Sequence, residues 1–376
     1  MKIIVIVIKK SLGLFFRVLI TWLVIDFFFG NLIIKWMSID SIEHRYRIKS
    51  DIYHHDLKKN YKGIGIWGDD IYDFCTDDNA FRISCNTTLA NEKQFDVAFI
   101  GDSFTEGSGV LYEKSFVGIF AKSYPNLKVA NLAVQSYSPS IYFSKVKHLL
   151  ESGYKFKNLF VFIDISDVQD EALAYALTED GRVIDKVSSG VVQTPLKRKI
   201  ANQIKRVNKW LFPLTYRLNR IRKDYFKWKS VKGMSVFKHD RSMNRSSWTY
   251  IEDADGYGDL GVSGAVEKSI DAMHKLSELA SKYQVKLSVG VYPWPAQILF
   301  DNVDSKQVSI WRNFCDKNCY HFFNLFDFFH AKKNQLGADE LIKQAYFFAD
   351  VHFNEEGNRL FGNEIVLQWD ERVLKD

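Results

Sequence analysis

The chain has 376 residues, of which 47% are hydrophobic, 15% aromatic and 26% charged. This composition excludes a disordered, collagen-like or low-complexity protein, and four cysteines are too few for a disulfide-stabilised scaffold. The formal net charge of +6 is mild, so its distribution along the chain is more informative than its size.

The first predicted element is an apolar segment, residues 12–34, which is long enough to cross a hydrocarbon core of roughly 30 Å. No A-x-A-like cleavage site follows it, which favours an uncleaved signal anchor over residues 1–36 rather than a cleaved signal peptide. Its position after a basic stretch predicts a cytoplasmic N-terminus and a periplasmic or extracytoplasmic remainder. Those basic residues are Lys2, Lys9, Lys10 and Arg17. Within the span, we expect Asp26 to pair locally or to lie near the interface; a functional intramembrane charge is the alternative.

Residues 37–94 show no convincing period and are interpreted as a linker and cover segment. In an exported protein the four cysteines predict two local disulfides, because their partners are close in sequence. The pairs are Cys75 with Cys85 and Cys315 with Cys319. Four buried free thiols are the alternative, and a zinc site is least favoured because no histidines have matching spacing.

The remainder, residues 95–376, alternates apolar strand segments with helical patterns. The predicted strands are 95–100, 129–134, 159–165, 286–291 and 321–326, and the predicted helices are 114–124, 141–152, 266–283 and 308–313. Such alternation predicts βαβ units, right-handed crossovers and a parallel sheet covered on both faces. We therefore predict an α/β fold in three layers, with its site at the carboxyl ends of the strands.

A basic insertion interrupts this rhythm over residues 172–262. Between Lys197 and Arg245 there are sixteen Lys and Arg but two acids, which is a local charge of +14 and leaves −8 for the rest. It is either a solvated basic face on a helical lid or a contact for anionic lipid or acidic glycan. Nucleic acid is not predicted as a partner, because no DNA-binding motif accompanies the charge.

The turn after the first core strand is the leading candidate for chemistry. Residues 101–107 read Gly-Asp-Ser-Phe-Thr-Glu-Gly, which places Ser103 on a tight turn from strand to helix. A serine there is exposed at the top of the sheet, and the helix directs N–H groups at the same spot. The motif is neither the G-x-S-x-G elbow nor a P-loop. In isolation, such a serine would be interpreted as a helix cap.

A serine nucleophile needs a base that an acid orients, and Asp350-Val351-His352 near the C-terminus offers both in one loop. Eight other histidines exist, so the triplet alone is weak. The strongest competitor is Asp327 with His330, just past the fifth predicted strand, and this pair is kept in reserve.

Together these motifs make the chain resemble the SGNH, or GDSL-like, hydrolase family. Residues 101–107 are similar to its first block and residues 131–138 to its second. The resemblance implies a flavodoxin-like α/β/α sandwich with a five-stranded sheet. It further implies Ser103 as the nucleophile, His352 as the base and Asp350 as the acid. The implied oxyanion donors are the backbone N–H groups of Ser103 and Ser136, where Ser136 stands in place of the family's glycine.

Two blocks depart from the family pattern. The third block normally presents Asn-Asp, whereas this chain has Ser166-Asp167, so Ser166 or Gln169 has to replace the asparagine side chain as a donor. The last block normally has its acid three residues before the histidine, whereas Asp350 is two before. The SGNH-like O-acetyltransferases of alginate and related exopolysaccharides do use a D-x-H pair.

The loop after the fourth predicted strand carries Tyr292 and Trp294 between prolines. It is predicted to be either an aromatic wall for a sugar ring or a packed turn. The sequence thus predicts a serine esterase that acts on acyl esters of a cell-surface glycan, without a metal or organic cofactor. An O-acetyltransferase of an exopolysaccharide or O-antigen is the first alternative, and a non-catalytic glycan-binding or assembly protein is the second.

Overall fold

The structure is a computed structural model that describes residues 2–36, 46–67, 70–87, 92–186, 215, 245–348 and 350–373. These residues fall into two compact units, one with the N-terminal helix and Thr215, the other with the remaining described residues. Most of the basic segment 197–245 lies outside the described residues, and so do the predictions about it.

The N-terminal helix, α1, spans Lys2–Trp36. Its segment Gly13–Gly30 has a mean hydropathy of 1.8, and only 11% of it is buried, so it is long and apolar enough to cross a membrane. Within this segment Asp26 and Gly30 are buried, and Asp26 accepts hydrogen bonds from the N–H and hydroxyl of Thr215. The carboxylate therefore has a local partner, which is the expected arrangement for a charge in an apolar helix.

The predicted linker and cover segment contains two small antiparallel sheets. One pairs β1 (Arg47–Ser50) with β2 (His54–Leu57), and the other joins β3 (Lys62–Trp67), β4 (Asp70–Thr76) and β5 (Arg82–Ile83). Side chains of β4 alternate between exposed and buried from Ile71 to Phe74, as the period of a strand requires, and the last two residues of the strand are both buried. A disulfide between Cys75 and Cys85 fastens the second sheet.

The predicted parallel sheet is present with five strands in the order β12–β11–β8–β6–β7. Its strands are β6 (Gln94–Ile100), β7 (Val129–Asn131), β8 (Lys155–Phe162), β11 (Lys286–Val291) and β12 (His321–Asn324). A separate hairpin is made by β9 (Tyr175–Leu177) and β10 (Val183–Asp185). Predicted strands 129–134 and 159–165 end early here, because backbone pairing stops after Leu132 and Ile163 and the apolar residues beyond them are buried in loops.

Helices cover both faces of the sheet, so the fold is the predicted three-layer α/β/α arrangement. The described helices after α1 are α2 (Ser103–Glu106), α3 (Phe116–Ser123), α4 (Pro139–Glu151), α5 (Asp167–Leu173), α6 (Gly261–Lys282), α7 (Pro295–Phe300), α8 (Lys306–Asn318), α9 (Leu325–Leu336), α10 (Ala338–Ala345) and α11 (Glu355–Val373). Alternate residues of β6 separate the two cores: Ala98 packs in the core that contains α4, α6 and α8, and Phe99 in the one that contains α3, α9 and α11. The second predicted disulfide joins Cys315 of α8 to Cys319.

The strand order positions the site. Chain connections run from β6 to β7 on one side and from β8 to β11 and β12 on the other. The order therefore reverses between β6 and β8, and a crevice at the carboxyl ends of such strands is where open α/β sheets bind ligands.

Candidate active site

Ser103 begins α2, with two residues between it and the end of β6. Asp102 caps this helix by accepting the N–H of Phe104 at 2.9 Å, and Gly107 closes it in the left-handed conformation with φ of +80°. Gly101 allows the turn because a Cβ there would lie 2.2 Å from the Thr105 hydroxyl oxygen. The turn thus fixes Ser103 at the helix N-terminus, where a free N–H group points outward.

The loop before α11 brings a histidine to this serine. Ser103 Oγ lies 2.7 Å from His352 Nε2, and His352 Nδ1 lies 2.6 Å from Asp350 Oδ1. The His352 N–H also donates to Asp350 Oδ1 at 2.9 Å, so the two-residue spacing closes a small ring between acid and base. In the neutral imidazole, Nδ1–H donates to the carboxylate, and Nε2 accepts the serine hydroxyl.

The reserve pair is engaged elsewhere. Asp327 accepts a hydrogen bond from Asn324 at 2.8 Å near the start of α9, and the His330 ring stacks on Phe326. The structure therefore brings Ser103 to His352 and not to the competing histidine.

Two aromatic rings enclose the His352 imidazole. Phe104 stacks on it with ring centroids 4.5 Å apart, and Trp67 meets it edge-on at 4.3 Å. Trp67 belongs to β3 of the cover segment and was missed from the sequence, because nothing near it in the chain marks a site. His352 and Ser103 are 9% and 6% exposed, so the pair is shielded from bulk water.

The backbone N–H groups of Ser103 and Ser136 are the predicted oxyanion donors. Within the described part of the chain, neither donates to another residue. Ser136 follows β7 in the left-handed region with φ of +65°, a conformation that glycine adopts most easily. That backbone geometry is the one expected where the resemblance places a glycine, and Ser136 adopts it despite its side chain. The Asn131 side chain ties this loop to the nucleophile helix by donating to the Thr105 carbonyl at 2.8 Å.

The third predicted donor, Ser166, lies at the start of α5 just after β8. It is 4% exposed, and its N–H donates to Asp164 Oδ1 at 2.8 Å. Its hydroxyl has no hydrogen-bond partner among the described residues. The alternative donor, Gln169, directs its side-chain amide to the Gly256 carbonyl at 3.1 Å. Ser166 is therefore the better placed of the two to face a substrate.

Tyr292 and Trp294 do not form the open aromatic wall that was one prediction for this loop. They are 0% and 3% exposed, so neither ring offers a face to a sugar. Their polar atoms turn inward instead: Trp294 Nε1 donates to Asp164 at 2.6 Å, and the Tyr292 hydroxyl lies 3.4 Å from Asp102. The loop is a packed turn that buttresses the site.

Behind the serine lies a buried cluster of three carboxyl groups that was not foreseen from the sequence. Oxygens of Asp102, Asp164 and Asp167 lie within 4.8 Å of one another, and all three side chains are buried. Asp102 Oδ2 lies 3.2 Å from Ser103 Oγ, and Asp167 Oδ2 accepts the Tyr142 hydroxyl at 2.7 Å. Asp167 Oδ1 is buried without a partner among the described residues.

Burial and mutual repulsion raise the pKa values of two of these carboxyl groups. Burial, followed by the neighbouring charge of Asp164, raises the pKa of Asp102 well above its usual range. Burial raises the pKa of Asp167 in the same way, with repulsion from Asp102 and Asp164 adding to it. Asp350 behaves oppositely: burial acts to raise its pKa, but the hydrogen bond and charge of His352 outweigh burial and lower it. The two environments thus shift the pKa values of these carboxyl groups in opposite directions, upward for Asp102 and Asp167 and downward for Asp350.

This cluster is the group of described residues closest to a metal-binding arrangement. All of its oxygens except Asp167 Oδ1, however, already have hydrogen-bonding partners in Trp294, Ser103, Tyr142 and backbone N–H groups. Such saturation fits carboxyl groups that share protons better than it fits cation ligands.

No family model matches this sequence, and no curated protein matches it. Solved structures do show similarity. A psychrotrophic esterase from Pseudoalteromonas sp. is 10% identical, with 76% of this chain and 100% of that chain covered and a TM-score of 0.36. A member of the lipolytic G-D-S-L family from Veillonella parvula is 13% identical, with 73% and 98% covered and a TM-score of 0.38.

An acetylxylan esterase from Geobacillus stearothermophilus is 9% identical, with 75% of this chain and 96% of that chain covered and a TM-score of 0.38. Identities and TM-scores this low assign no activity to the present chain. Its chemistry has to be argued from its own residues.

Proposed function

We propose that the protein is a membrane-anchored serine esterase of the SGNH type that removes ester-linked acyl groups from a cell-surface glycan. The observation that carries the proposal is the continuous hydrogen-bonded line from Ser103 through His352 to Asp350, with distances of 2.7 and 2.6 Å. This line lies at the carboxyl ends of parallel strands, where the helix N-terminus adds unpaired N–H groups.

In the first half-reaction, Ser103 Oγ attacks the acyl carbonyl carbon while His352 Nε2 takes the hydroxyl proton. The C–O bond to the sugar breaks as the imidazolium returns that proton to the leaving alkoxide. Asp350 keeps the imidazole in the required tautomer and stabilises its positive charge. An acyl-serine and a free sugar hydroxyl result.

In the second half-reaction, water attacks the acyl-serine, and His352 again takes and returns the proton, so a carboxylic acid leaves and Ser103 is regenerated. The carbonyl oxygen carries negative charge in both tetrahedral intermediates. The N–H groups of Ser103 and Ser136 stabilise it, with the Ser166 hydroxyl as a third donor.

Transfer to a sugar hydroxyl instead of water is the second candidate function. It is favoured by the Asp-x-His spacing, which makes a close imidazole–carboxylate contact in this chain, and by the low exposure of Ser103. An enclosed serine disfavours water relative to a bound acceptor. A non-catalytic glycan-binding protein on the same fold is the remaining alternative.

Labelling with a fluorophosphonate probe tests the catalytic proposal. We expect labelling of the full-length protein at Ser103, its loss in Ser103→Ala, and hydrolysis of p-nitrophenyl acetate by the wild type. A folded wild-type protein that neither labels nor turns over would favour the binding-protein alternative. A rate that requires an added oligosaccharide acceptor, with acetylated product, would instead identify a transferase.

We further propose that α1 anchors the protein with the catalytic unit outside the cytoplasm. The basic residues before the apolar segment and the two disulfides support this orientation. Protease added to spheroplasts should digest the catalytic unit, whereas a protected unit would move it to the cytoplasmic face.

A further inference from the structure

The loop after β7 holds a backbone conformation that its sequence does not favour. Ser136 has φ of +65°, in the left-handed region where a side chain is strained. Such a residue persists only when its surroundings fix it. Here the surrounding groups form hydrogen bonds with the backbone of Gln135 and Ser136.

Three hydrogen bonds from three different elements hold this loop. The Gln135 N–H donates to Glu106 Oε2 at 2.7 Å, and the Gln135 carbonyl accepts from His55 Nε2 at 2.8 Å. The Ser136 carbonyl accepts from the Tyr175 hydroxyl at 2.7 Å. Glu106 is on the nucleophile helix α2, whereas His55 is on β2 of the cover segment.

The bond from His55 differs from the other two in what it controls. The Gln135 carbonyl and the Ser136 N–H belong to one planar trans peptide group, so they point in opposite directions. Whatever holds the carbonyl therefore sets the direction of that N–H. A hydrogen bond at the carbonyl oxygen also polarises the amide and strengthens its N–H as a donor.

The surroundings of His55 specify the tautomer that this role needs. A carbonyl only accepts, so Nε2 carries the proton and Nδ1 is an acceptor. His55 Nδ1 lies 2.7 Å from His54 Nδ1, and His54 Nε2 lies 2.9 Å from Asp185. Burial lowers the pKa of His55 to about 4, which keeps its ring neutral at ordinary pH.

Resting on the proposed function, we propose that His55 of the cover segment is a positioning residue for catalysis. It orients the Ser136 N–H as the second oxyanion donor by binding the carbonyl on the opposite side of the same peptide group. The cover is on this view a part of the active site and not only a lid over the core.

Two substitutions separate hydrogen bonding from packing. His55→Phe keeps an aromatic ring against Tyr137 but removes the donor, whereas His55→Gln keeps an N–H donor near Nε2 and loses the ring. His148→Phe is the matched control, since its ring packs on Tyr53 of the cover away from the loop. All three are made in the full-length protein, and the melting temperature is recorded for each.

With p-nitrophenyl acetate we expect His55→Phe to lower kcat by about 10- to 100-fold with little change in KM, since the full loss of an oxyanion donor costs roughly 10²–10³. His55→Gln should retain more of the rate than His55→Phe, and His148→Phe should match the wild type. Labelling of Ser103 by the fluorophosphonate should slow in the same order, because that reaction also places charge on the oxygen.

Failure of the positioning role can be distinguished from failure of the proposed esterase function. A wild-type protein that does not label at Ser103 contradicts the esterase itself. A wild type that labels normally while His55→Phe labels and turns over equally fast overturns the positioning role alone. Faster turnover by His55→Phe than by His55→Gln would also overturn it, because ring packing rather than hydrogen bonding would then explain the effect.

Discussion

At the residue scale, the two-residue spacing between Asp350 and His352 has a direct chemical meaning. Asp350 Oδ1 accepts both the backbone N–H and the ring Nδ1–H of His352. A three-residue spacing is not needed to orient the ring, because the acid lies on the same tight turn as the base. The lowered pKa of Asp350 means that it is ionised wherever His352 acts as a base.

Asp350→Asn should lower kcat/KM for p-nitrophenyl acetate on the order of 10³–10⁴. An amide at this place donates to Nδ1, which moves the ring proton to Nε2, where it blocks acceptance of the serine proton. Asp327→Asn, which changes the reserve acid in the same way, is the control and should retain the wild-type rate. Equal losses in both variants would mean that the substitution acts through stability.

The carboxyl cluster makes a prediction about pH. The pKa of Asp167 is raised on folding, so the wild type loses stability as pH rises above about 4, the usual pKa of an unfolded aspartate. Asp167→Asn lacks that titration, and an amide oxygen can still accept from Tyr142. Its melting temperature relative to the wild type should therefore be higher at pH 8 than at pH 5.

Asp96→Asn is the control for this pH measurement. The hydrogen bond from Lys157, followed by the Lys128 N–H, lowers the pKa of Asp96, so this group is ionised throughout that range. Its difference from the wild type should be the same at both pH values. A flat difference for Asp167→Asn as well would contradict a proton held in the cluster.

Individual site residues were predictable to different degrees. Ser103 and His352 lie in motifs whose chemistry can be recognised from sequence. The cluster of Asp102, Asp164 and Asp167 could not be foreseen, because its members follow two different strands and only the sheet order brings them together. Trp294 was noticed for its aromatic ring, although its indole N–H is what the site uses.

At the element scale, the buried parallel strands were the most predictable feature. Near-continuous apolar runs such as 286–291 match the observed strand β11 in both bounds. The strands of the cover were missed, because β1 and β2 read Arg-Ile-Lys-Ser and His-His-Asp-Leu, which carry little apolar signal. Their stability comes from contacts with the core, which a local pattern does not contain.

Arg82 of β5 attaches the cover segment to the end of helix α2 and to the residues that follow it. Its guanidinium is fully buried and donates to the carbonyls of Glu106, Gly107 and Val110. Arg82→Met should leave the Glu106 and Val110 carbonyls unpaired, at a cost of roughly 1–3 kcal/mol each, and lower the melting temperature markedly, whereas the Gly107 carbonyl keeps the Val110 N–H. Arg182→Met removes an exposed arginine that pairs with Asp180, so it serves as the control and should change stability by less than about 1 kcal/mol.

If Arg82→Met melts within about 1 °C of the wild type, the hydrogen bonds of Arg82 do not contribute appreciably to the stability of the fold. A large loss of stability with normal kcat at low temperature would place the role of Arg82 in folding alone.

At the scale of the whole molecule, charge is divided very unevenly along the chain. The segment 197–245 carries +14, whereas the remainder sums to −8. A field concentrated in one segment attracts an acidic polymer more strongly than the same charge dispersed. The basic segment thus gives the molecule a local attraction for acidic polymers that its net charge of +6 does not reveal.

Heparin serves as a model acidic polysaccharide for this prediction. Replacing Lys197, Arg198 and Lys199 with glutamine should make the full-length protein, in neutral detergent, elute from heparin resin at clearly lower salt. The control removes three exposed lysines of the catalytic unit, Lys282, Lys306 and Lys317, and should shift elution less. Equal shifts would show that the resin responds to net charge only.

The serine and its base are 249 residues apart in the chain, and the contact between them has a consequence for biogenesis. A chain that is exported from its N-terminal side delivers the anchor before Ser103, and Ser103 before His352. During that interval the serine has no base, so the emerging polypeptide is chemically silent. On the proposed mechanism the enzyme therefore becomes active only once the loop that carries His352 has reached the same side of the membrane as Ser103.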